Sequence, residues 1–475
     1  MAENDLSVNA TDGHGRMHLP EDLMHFIRRE TYSLLVKGFA GTGKTTLALT
    51  ILNALGAKNN FFYISTRISP KQLFQYYPWL KDFVEESNPK GSNLTRDHIM
   101  MPSFEDARLD EPESLFERIT NQLMDIKSPI IIIDSWDAIA SFMDREARLN
   151  NERVLQTWRE RAGAKLIFIS EQPADATLDF LVDGIIELKQ CYYNNIKMRQ
   201  IFLQKLRGTR INRSVYLYTL ENSIFHSFAP YRPIKFEPHK RGTSDVSELS
   251  MGDNIRSGYP MLDAALGSGF PRKSVVLLEL DSRVDMTIAL IFLEKIVSNF
   301  VLSGNPVILQ PANWVEQSSL LRFFEASMPA SKKSLFKILR RGKTYMTSAH
   351  IISRSKNQSS QQPLAALAKM KQRNPGKLLL NIMWTEAIQS LYGTKSAGNE
   401  MKNILSNMMA HADLSIAVLT HSQEDLLEQV SEVSNFRLRF IMINDTLFLQ
   451  CLLPPSNLYS LVFDGRSELS LMPVL

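Results

Sequence analysis

The stretch TYSLLVKGFAGTGKTTLALTILNALG, residues 31–56, decides the fold of the first half of this chain. Residues 33–36 form a short apolar run of strand length, and residues 45–55 carry leucine and isoleucine at the spacing of a buried helix. A glycine-rich turn lies between them, so the sequence predicts a strand, a loop and a helix in that order. Gly38 to Thr45 read GFAGTGKT and satisfy the pattern G-x-x-x-x-G-K-[ST].

This loop pattern is typical of a site for nucleotide phosphates. Glycines allow backbone N–H groups to turn inward toward phosphate oxygens, and the N-terminal end of the following helix adds its positive dipole. Lys44 is expected to contact the β- and γ-phosphates, and the Thr45 hydroxyl to ligate Mg²⁺. The predicted cofactors are therefore ATP and Mg²⁺. The residues expected to bind the nucleotide are Gly38, Phe39, Ala40, Gly41, Thr42, Gly43, Lys44, Thr45 and Thr46.

Two acidic positions fit the same chemistry. Residues 130–134 read IIIID, and the isoleucines predict a buried strand that ends at Asp134. Ligands of open α/β sheets bind at the carboxyl ends of strands, so we expect Asp134, on a neighbouring strand, to hold the metal through water. The alternative is that Asp134 caps the helix that follows it and binds no metal. Glu171 follows the apolar run 166–169 and is a candidate catalytic residue; a sensor-like polar contact to the γ-phosphate is the alternative role.

Strand-like and helical segments alternate through the first half, which predicts a mostly parallel α/β sheet. After Gly184 closely spaced β-rich segments predict antiparallel strands that close this domain. Residues 229–257 contain three prolines and many charges, as expected for a linker. The expected division is an ATP-binding domain at 1–235, a linker at 236–250 and a second domain at 251–475.

The order of elements begins again beyond the linker, which predicts an internal repeat. Residues 274–290, SVVLLELDSRVDMTIAL, align with the P-loop stretch so that Glu279 falls on Gly38 and Asp285 on Lys44. Further along, Asn381 falls on Asp134, and Cys451 and Leu453 fall on Lys205 and Arg207. Because these replacements remove the cations and leave carboxylates, we expect no nucleotide in the second half. An unrelated α/β domain is the alternative.

The motifs GFAGTGKTT, IIIIDSWDAI, LIFISEQ and KLRGTRI, in this order, resemble the RecA-like ATPases of the KaiC/RadA group. The stretches KGFAGTGKTTLALTIL and FFYISTRISPKQLFQYYPWL are most similar to archaeal GvpD-type P-loop proteins. The resemblance covers residues 15–232 with specific motifs and the second half weakly. It implies an α/β fold of two tandem RecA-like domains, each a mostly parallel sheet with flanking helices, the second degenerate. It also implies a homo-oligomer with nucleotide at the subunit interface.

The resemblance has two further consequences for the site. KaiC-like proteins present a lysine and an arginine from the next subunit, and these match Lys205 and Arg207; a solvated strand face is the alternative. KaiC-like ATPases also carry adjacent glutamates after the second strand, whereas residues 63–67 read YISTR without an acid. Since a general base typically contributes 10²- to 10⁴-fold, we expect tight ATP binding and slow hydrolysis.

Composition limits the classes of partner. Lys+Arg 54 against Asp+Glu 50 gives a net charge of +4, too balanced for a constitutive nucleic-acid binder. One dense basic cluster is the exception, and a solvated helix face is its alternative explanation. Its members are Lys332, Lys333, Lys337, Arg340, Arg341 and Lys343. The first residues lack a secretory pattern and no apolar run approaches membrane-spanning length, so a cytoplasmic protein without membrane contact is expected.

Three functions compete on this sequence. The first is a GvpD/KaiC-like regulatory ATPase that acts through a homo-oligomer or a regulatory protein partner. The second is a RadA-like recombination or repair ATPase that binds DNA. The third is a nucleotide-stabilised scaffold without turnover.

Overall fold

The structure, a computed structural model, describes most of the chain in two units. The first unit comprises Met1–Ala229 with Leu475, and the second comprises Pro230–Val474. The described residues are 19–56, 60–81, 103–108, 112–123, 127–143, 154–155, 157–174, 178–233, 249–312, 315–341, 351–354, 362–387, 402–403, 406–407, 411–420, 424–463 and 469–475. Most of the predicted linker lies outside these ranges.

The first unit is built on one nine-stranded sheet. Its strands are β1 (Tyr32–Gly38), β2 (Phe61–Ser65), β3 (Ser103–Asp106), β4 (Ile130–Asp134), β5 (Lys165–Ser170), β6 (Gly184–Tyr193), β7 (Ile196–Leu206), β8 (Val215–Thr219) and β9 (His226–Ser227). Their order is β3-β2-β4-β5-β1-β6-β7-β8-β9. Pairing is parallel from β3 to β6 and antiparallel from β6 to β9. The predicted alternation is confirmed, but β6 itself pairs parallel with β1, so the antiparallel part begins one strand later than predicted.

Helices cover both faces of this sheet, which explains why its central strands are apolar on both sides. The helices are α1 (Glu21–Ile27), α2 (Lys44–Ala54), α3 (Pro70–Tyr76), α4 (Pro112–Leu123) and α5 (Trp136–Ala140), with a 3₁₀ turn at Glu221–Ser223. On one face Leu34 and Val36 pack with Leu47 of α2. On the other, Leu35 packs in a cluster with Trp136. The strand, loop and helix predicted from residues 31–56 are confirmed, and α2 is fixed by burial in the core.

The second unit repeats this design around a ten-stranded sheet, after a small sheet of three short strands. Its strands are β10 (Ser250–Met251), β11 (Asn254–Ile255), β12 (Phe270–Pro271), β13 (Ser274–Leu280), β14 (Val307–Gln310), β15 (Phe336–Arg341), β16 (Ile351–Arg354), β17 (Leu380–Trp384), β18 (Leu414–Thr420), β19 (Phe436–Ile443), β20 (Thr446–Leu453), β21 (Pro455–Phe463) and β22 (Leu469–Pro473). Its helices are α6 (Pro260–Ala265), α7 (Met286–Leu302), α8 (Gln317–Glu325), α9 (Gln362–Arg373) and α10 (Glu424–Val433), with a 3₁₀ turn at Ala330–Leu335. The large sheet has the order β16-β15-β14-β17-β18-β13-β19-β20-β21-β22.

Nine strands of the second large sheet match the first sheet in order, and β16 is an additional strand at its edge. β1 lies between β5 and β6, and β13 lies between β18 and β19 with the same parallel pairing. Both following hairpins carry a register shift at the same place, between Ile185 and Ile186 in one and between Arg437 and Leu438 in the other. A shared β-bulge is a specific feature of a strand pair. The chain therefore consists of two tandem RecA-like α/β domains, as predicted.

The structure shifts the predicted alignment by one residue at the P-loop. β1 begins at Tyr32 and α2 at Lys44, whereas β13 begins at Ser274 and α7 at Met286, so each helix starts 12 residues after its strand. Lys44 thus corresponds to Met286, and the earlier match of Lys44 with Asp285 is wrong. The apolar runs of the two strands can be aligned almost equally well with or without a shift of one residue. The first residues of α2 and α7 fit only the shifted alignment.

The matches of Asn381, Cys451 and Leu453 also move. Asn381 lies second in β17, and the residue that ends this strand, as Asp134 ends β4, is Trp384. The shared bulge places Leu453, and not Cys451, at the position of Lys205. The residues at the positions of Lys44, Asp134 and Lys205 are thus a methionine, a tryptophan and a leucine, none of which is charged. We therefore still expect the second domain not to bind phosphates.

Glu279 and Asp285, predicted to make the second domain anionic, have internal roles instead. The Asp285 carboxylate accepts a hydrogen bond from the backbone N–H of Thr287 at 2.6 Å and so caps α7. Glu279 is buried within β13, and its carboxylate contacts Arg437 and Arg439 of β19, each at 2.8 Å. The paired arginines neutralise this carboxylate, which corrects the prediction of a repulsive site.

Removing the Glu279 carboxylate is expected to destabilise the second domain. In Glu279→Ala both arginines lose their buried partner, and breaking a buried ion pair typically costs about 3 kcal/mol or more. Chemical denaturation of the natural chain and the variant measures the change in free energy of unfolding. Glu428→Ala, at an exposed position of α10, is the matched control and should change it by less than about 0.5 kcal/mol. An equal effect of both substitutions would contradict this account.

Candidate functional site

Two glycines give the loop after β1 its shape. Gly41 and Gly43 have φ angles of +76° and +89°, a region that other residues rarely adopt. Gly43 is also the N-cap residue of α2, and a β-carbon there would lie 2.7 Å from Leu220 Cδ1. Glycine is therefore required for both the backbone conformation and the close packing.

Lys44 projects from the first turn of α2 into the loop. Its side chain is only 6% exposed, and Nζ donates a hydrogen bond to the backbone oxygen of Phe39 at 3.0 Å. Nζ also lies 3.9 Å from Oε1 of Glu171. Burial lowers the pKa of Lys44, while the negative charges of Glu171 and Asp134 act in the opposite direction. The ammonium group is thus held in place by weak partners that an anion can replace.

The Thr45 hydroxyl and the Asp134 carboxylate meet beside Lys44. Thr45 Oγ1 donates to Asp134 Oδ2 at 2.6 Å, and the hydroxyl of Tyr63 on β2 donates to the same oxygen at 2.6 Å. Burial raises the pKa of Asp134, and these two hydrogen bonds act against that rise. A hydroxyl and a carboxylate oxygen are ligands that Mg²⁺ accepts directly or through water. Thr45 and Asp134 therefore fit the predicted metal role, and Tyr63 is a contact that the sequence analysis missed.

The sequence analysis placed Asp134 on a strand next to the P-loop strand. In the structure β4, which carries Asp134, is not the direct neighbour of β1. β5 lies between β4 and β1, so Glu171, one residue beyond β5, falls between Lys44 and Asp134. The Asp137 carboxylate in α5 accepts from Ser170 Oγ at 2.9 Å and from the backbone N–H of Glu171. Asp137 thus holds the turn that places Glu171 at this edge of the sheet.

Arg67 occupies the place after β2 where an acid would have been expected from related ATPases. Its Nη1 lies 2.5 Å from Oε2 of Glu171, and its side chain is half exposed. The Glu171 carboxylate is consequently shared between Arg67 and Lys44. Glu171 is therefore held by two ion pairs in this structure.

The remaining predicted loop residues divide into exposed and hydrogen-bonded ones. Phe39 is 71% exposed, and Ala40 is exposed beside it. Thr42 Oγ1 donates to the Phe39 backbone oxygen at 2.8 Å. Thr46 Oγ1 and the Tyr77 hydroxyl are hydrogen-bonded at 3.0 Å. Gly38 ends β1 so close to β6 that a β-carbon would lie 2.6 Å from the Leu188 backbone oxygen.

Two residues of the antiparallel strands hold this loop from outside, and no sequence motif indicated them. Gln190 Nε2, on β6, donates to the backbone oxygen of Gly41 at 3.2 Å. The Tyr218 hydroxyl, on β8, donates to the backbone oxygen of Thr42. The loop is therefore braced through its carbonyl groups, and of its N–H groups that of Thr42 donates to the Phe39 backbone oxygen at 3.4 Å.

Lys205 and Arg207 lie away from the P-loop of their own chain. Lys205 pairs with Ile185 near the start of β6, and its Nζ donates to the backbone oxygens of Asp179 at 2.9 Å and Val182 at 2.7 Å. Arg207, just after β7, is 63% exposed and lies 3.4 Å from an Asp183 carboxylate oxygen. The alternative of a solvated strand face therefore suits Arg207 and not Lys205.

The basic cluster is not one helix face. Lys332 and Lys333 lie in the 3₁₀ turn, where Lys332 donates to the Leu302 backbone oxygen and Lys333 lies 3.2 Å from Glu325. Lys337 is in β15, and burial lowers its pKa, helped by the nearby Arg373 and Lys369. Arg340 and Arg341 are the last residues of β15, and the structure does not describe their side chains. Lys343 lies outside the described residues.

None of the helices that the structure describes combines the length and the apolar character needed to cross a lipid bilayer.

Comparison with known proteins agrees with this geometry. Residues 23–204 match the family of the GvpD gas vesicle protein, P-loop domain. Protein GvpD2 of Halobacterium salinarum is 24% identical over 317 residues, which cover 62% of this chain and 62% of that protein. Protein GvpD1 of the same organism is 27% identical over 296 residues, covering 59% and 54%. The circadian clock oscillator protein KaiC of Thermostichus vulcanus is 23% identical over 277 residues, covering 54% and 49%. The chain thus spans about half to three-fifths of the length of these relatives.

Proposed function

Because this chain is a RecA-like P-loop protein related to GvpD and KaiC, we propose that it is an ATP-dependent regulatory switch. Its first domain would bind ATP with Mg²⁺ and hydrolyse it slowly. The observation that carries the proposal is the 2.6 Å contact between the Thr45 hydroxyl and the Asp134 carboxylate, next to the buried ammonium group of Lys44. This arrangement places candidate metal ligands and a phosphate-binding cation within one small region.

Each residue of the site has a chemical role in this proposal. Lys44 and the loop N–H groups bind the phosphates, and Thr45 and Asp134 hold Mg²⁺. The metal, when bound, neutralises phosphate charge that develops during hydrolysis. Glu171 is the candidate base or polar contact for the attacking water. Its ion pair with Arg67 supports slow turnover, because the carboxylate must break this contact before it can approach an attacking water.

The output of the switch is proposed to be a protein contact. Arg207 is exposed, so it can reach a nucleotide bound to a neighbouring subunit, whereas Lys205 would first have to leave two backbone oxygens. The second domain, without the phosphate-binding residues, would serve as the surface for a homo-oligomer or a regulatory protein in the cytoplasm. Its fold is kept by internal contacts such as the Glu279 ion pairs.

Steady-state turnover and oligomer size, measured together, test this proposal. We expect the natural chain to hydrolyse MgATP below about 1 s⁻¹, the low end for enzymes. Glu171→Gln should lower the rate by a further factor of about 10² and leave ATP affinity within about threefold, since the amide cannot accept the proton. The matched control is Glu160→Gln, at an exposed position of the same domain.

Three results would contradict the proposal. A turnover above this limit would rule out the slow switch, and no turnover despite ATP binding would favour the scaffold. Hydrolysis stimulated by single-stranded DNA, with salt-dependent binding, would favour the recombination ATPase.

A further inference from the structure

Tyr63 lies in β2 with its side chain fully buried inside the first domain, and its hydroxyl donates to Asp134 Oδ2 at 2.6 Å. β2 and β4 are neighbours, and Tyr63 pairs in register with Ile132, two residues before Asp134. Residues two apart in a strand point to the same face of the sheet. The phenol therefore reaches the Asp134 carboxylate along one face, from the strand beside it.

The hydrogen bonds that the structure describes at the Asp134 carboxylate both go to the same oxygen. Thr45 Oγ1 and the Tyr63 hydroxyl donate to Oδ2, each at 2.6 Å. Among the described residues none donates to Oδ1 of Asp134. This oxygen belongs to the last residue of β4, at the carboxyl edge where ligands of open α/β sheets bind. Two donors on Oδ2 thus fix the carboxylate and leave Oδ1 for another partner.

The two donors differ in what else they are needed for. In the proposed function the Thr45 oxygen is itself a ligand of Mg²⁺, whereas Tyr63 is enclosed in the core and has no such second task. Burial, and then the negative charge of Asp134, raise the pKa of Tyr63 well above its ordinary value. The phenol therefore keeps its proton and stays a donor. Tyr63 can hold Asp134 in the same way with and without a bound metal.

The second domain changes both members of this contact together. The registers of the equivalent strand pairs place Leu309 of β14 at the position of Tyr63 and Trp384 of β17 at that of Asp134. Leu309 and Trp384 both belong to the apolar core of that domain. The same fold thus accepts a leucine where the carboxylate is absent, so packing alone does not require a phenol here.

We propose that Tyr63 positions the Asp134 carboxylate for Mg²⁺ by holding Oδ2 and so leaving Oδ1 for the metal or its water. The inference rests on the proposed function, because it needs MgATP in the first domain. Groups that hydrogen-bond a metal-binding carboxylate from behind typically contribute about 10- to 100-fold to metal affinity or activity. Tyr63 is a positioning residue, since it acts through Asp134.

Calorimetry of ATP binding by the full chain tests this role without relying on turnover. ATP is titrated at a series of Mg²⁺ concentrations and in EDTA into the natural chain, Tyr63→Phe and Tyr32→Phe. Tyr63→Phe removes one hydroxyl and keeps the ring. Tyr32→Phe is the matched control, because Tyr32 is also buried but begins β1, at the opposite edge of the sheet. Tyr63→Leu, with the residue of the second domain, repeats the test without the ring, and thermal unfolding checks that each variant folds.

Tyr63→Phe should raise the Mg²⁺ concentration that gives half of the full gain in ATP affinity by about 10- to 100-fold. Its ATP affinity in EDTA should stay within about twofold of the natural value, because Lys44 and the loop are unchanged. Tyr32→Phe should change neither quantity. In a chain that already carries Asp134→Asn, adding Tyr63→Phe should not alter the response to Mg²⁺ further, because the carboxylate that Tyr63 holds is gone.

An unchanged Mg²⁺ response in both Tyr63 variants, with a normal response of the natural chain, would overturn the inference alone. An equal loss of ATP affinity in EDTA would also overturn it, because Tyr63 would then support the loop and not the metal site. The same holds for an equal effect of Tyr32→Phe, or for a Tyr63→Phe effect that persists beside Asp134→Asn. A natural chain that binds no ATP, or binds it without any response to Mg²⁺, would overturn the proposed function and this inference with it.

Discussion

Replacing Lys44 with alanine is expected to lower the affinity of the whole chain for MgATP by at least about 100-fold, because charge-assisted contacts to phosphate oxygens are lost. Lys44 directly follows Gly43, the last glycine of the loop, and the corresponding position in the second domain is Met286. No second phosphate site is therefore expected to compensate. Calorimetric titration gives both the affinity and the number of nucleotides bound per chain, which should be one in the natural protein.

The same substitution should leave the nucleotide-free protein intact. Burial lowers the pKa of Lys44, so the folded state is a less favourable environment for the ammonium group than water is. Lys44→Ala should then unfold at the same temperature as the natural chain or slightly above it without nucleotide. Stabilisation by added ATP, which follows from binding to the folded state, should disappear.

Lys71→Ala is the matched control, because Lys71 lies exposed in α3 of the same domain. It removes the same charge and should bind ATP as the natural chain does. Tight binding retained by Lys44→Ala would show that the nucleotide occupies another site. If Lys44→Ala failed to fold, Lys44 would be required for the nucleotide-free fold, which contradicts this prediction.

Much of the fold was predictable because burial and periodicity act locally. A run of isoleucines such as residues 130–133 fits only a strand covered on both faces, and the glycines around Lys44 fit only a tight loop. The duplication was predictable for the same reason, since apolar strands keep their order when the chemistry changes. The candidate site was found as far as it follows one continuous motif, from Gly38 to Thr46.

The rest of the site depends on which strands are neighbours in the sheet, and this order cannot be read from the sequence. Tyr63 contacts Asp134 because β2 and β4 are neighbours, which brings together residues that are far apart in the chain. Glu171 approaches Lys44 because β5 lies beside β1. Gln190 and Tyr218 reach the P-loop because the antiparallel strands follow β1 in the sheet. Contacts between neighbouring strands leave no periodic pattern in the sequence, so they can be identified only once the strand order and register are known.

Buried charge also explains how two domains with one fold differ in chemistry. Lys37 of β1 pairs in register with Glu187 of β6, and the equivalent pair in the second domain is Glu279 with Arg439. The signs are reversed, yet both central strands stay buried along their whole length. Lys37 has Asp179 beside it at 2.5 Å and Glu279 has the two arginines, so each buried charge is kept next to an opposite charge. Nucleotide binding does not allow such a reversal, because the phosphates keep their negative charge.

Replacing Asp134 with asparagine should separate metal use from nucleotide binding. The amide keeps the size of the side chain but removes the charge that would attract Mg²⁺, so turnover should fall by at least about 100-fold. Mg²⁺ should raise the ATP affinity of the natural chain over its value in EDTA, and this increase should be lost in Asp134→Asn. ATP affinity in EDTA should stay within about threefold, because Lys44 and the loop are unchanged.

The nucleotide-free variant should be at least as stable as the natural chain at neutral pH. Burial raises the pKa of Asp134, so the folded state carries a penalty for the ionised form at every pH above the ordinary pKa of an aspartate, and asparagine removes it. Asp106→Asn is the control, because Asp106 ends β3 at the same edge of the sheet but is exposed and paired with Arg108. Full turnover in Asp134→Asn, or an equal loss in Asp106→Asn, would show that Asp134 is not the metal-binding carboxylate. Metal-dependent affinity lost only at Asp134, with no loss of stability, would assign the charge of this buried acid to the nucleotide-bound state.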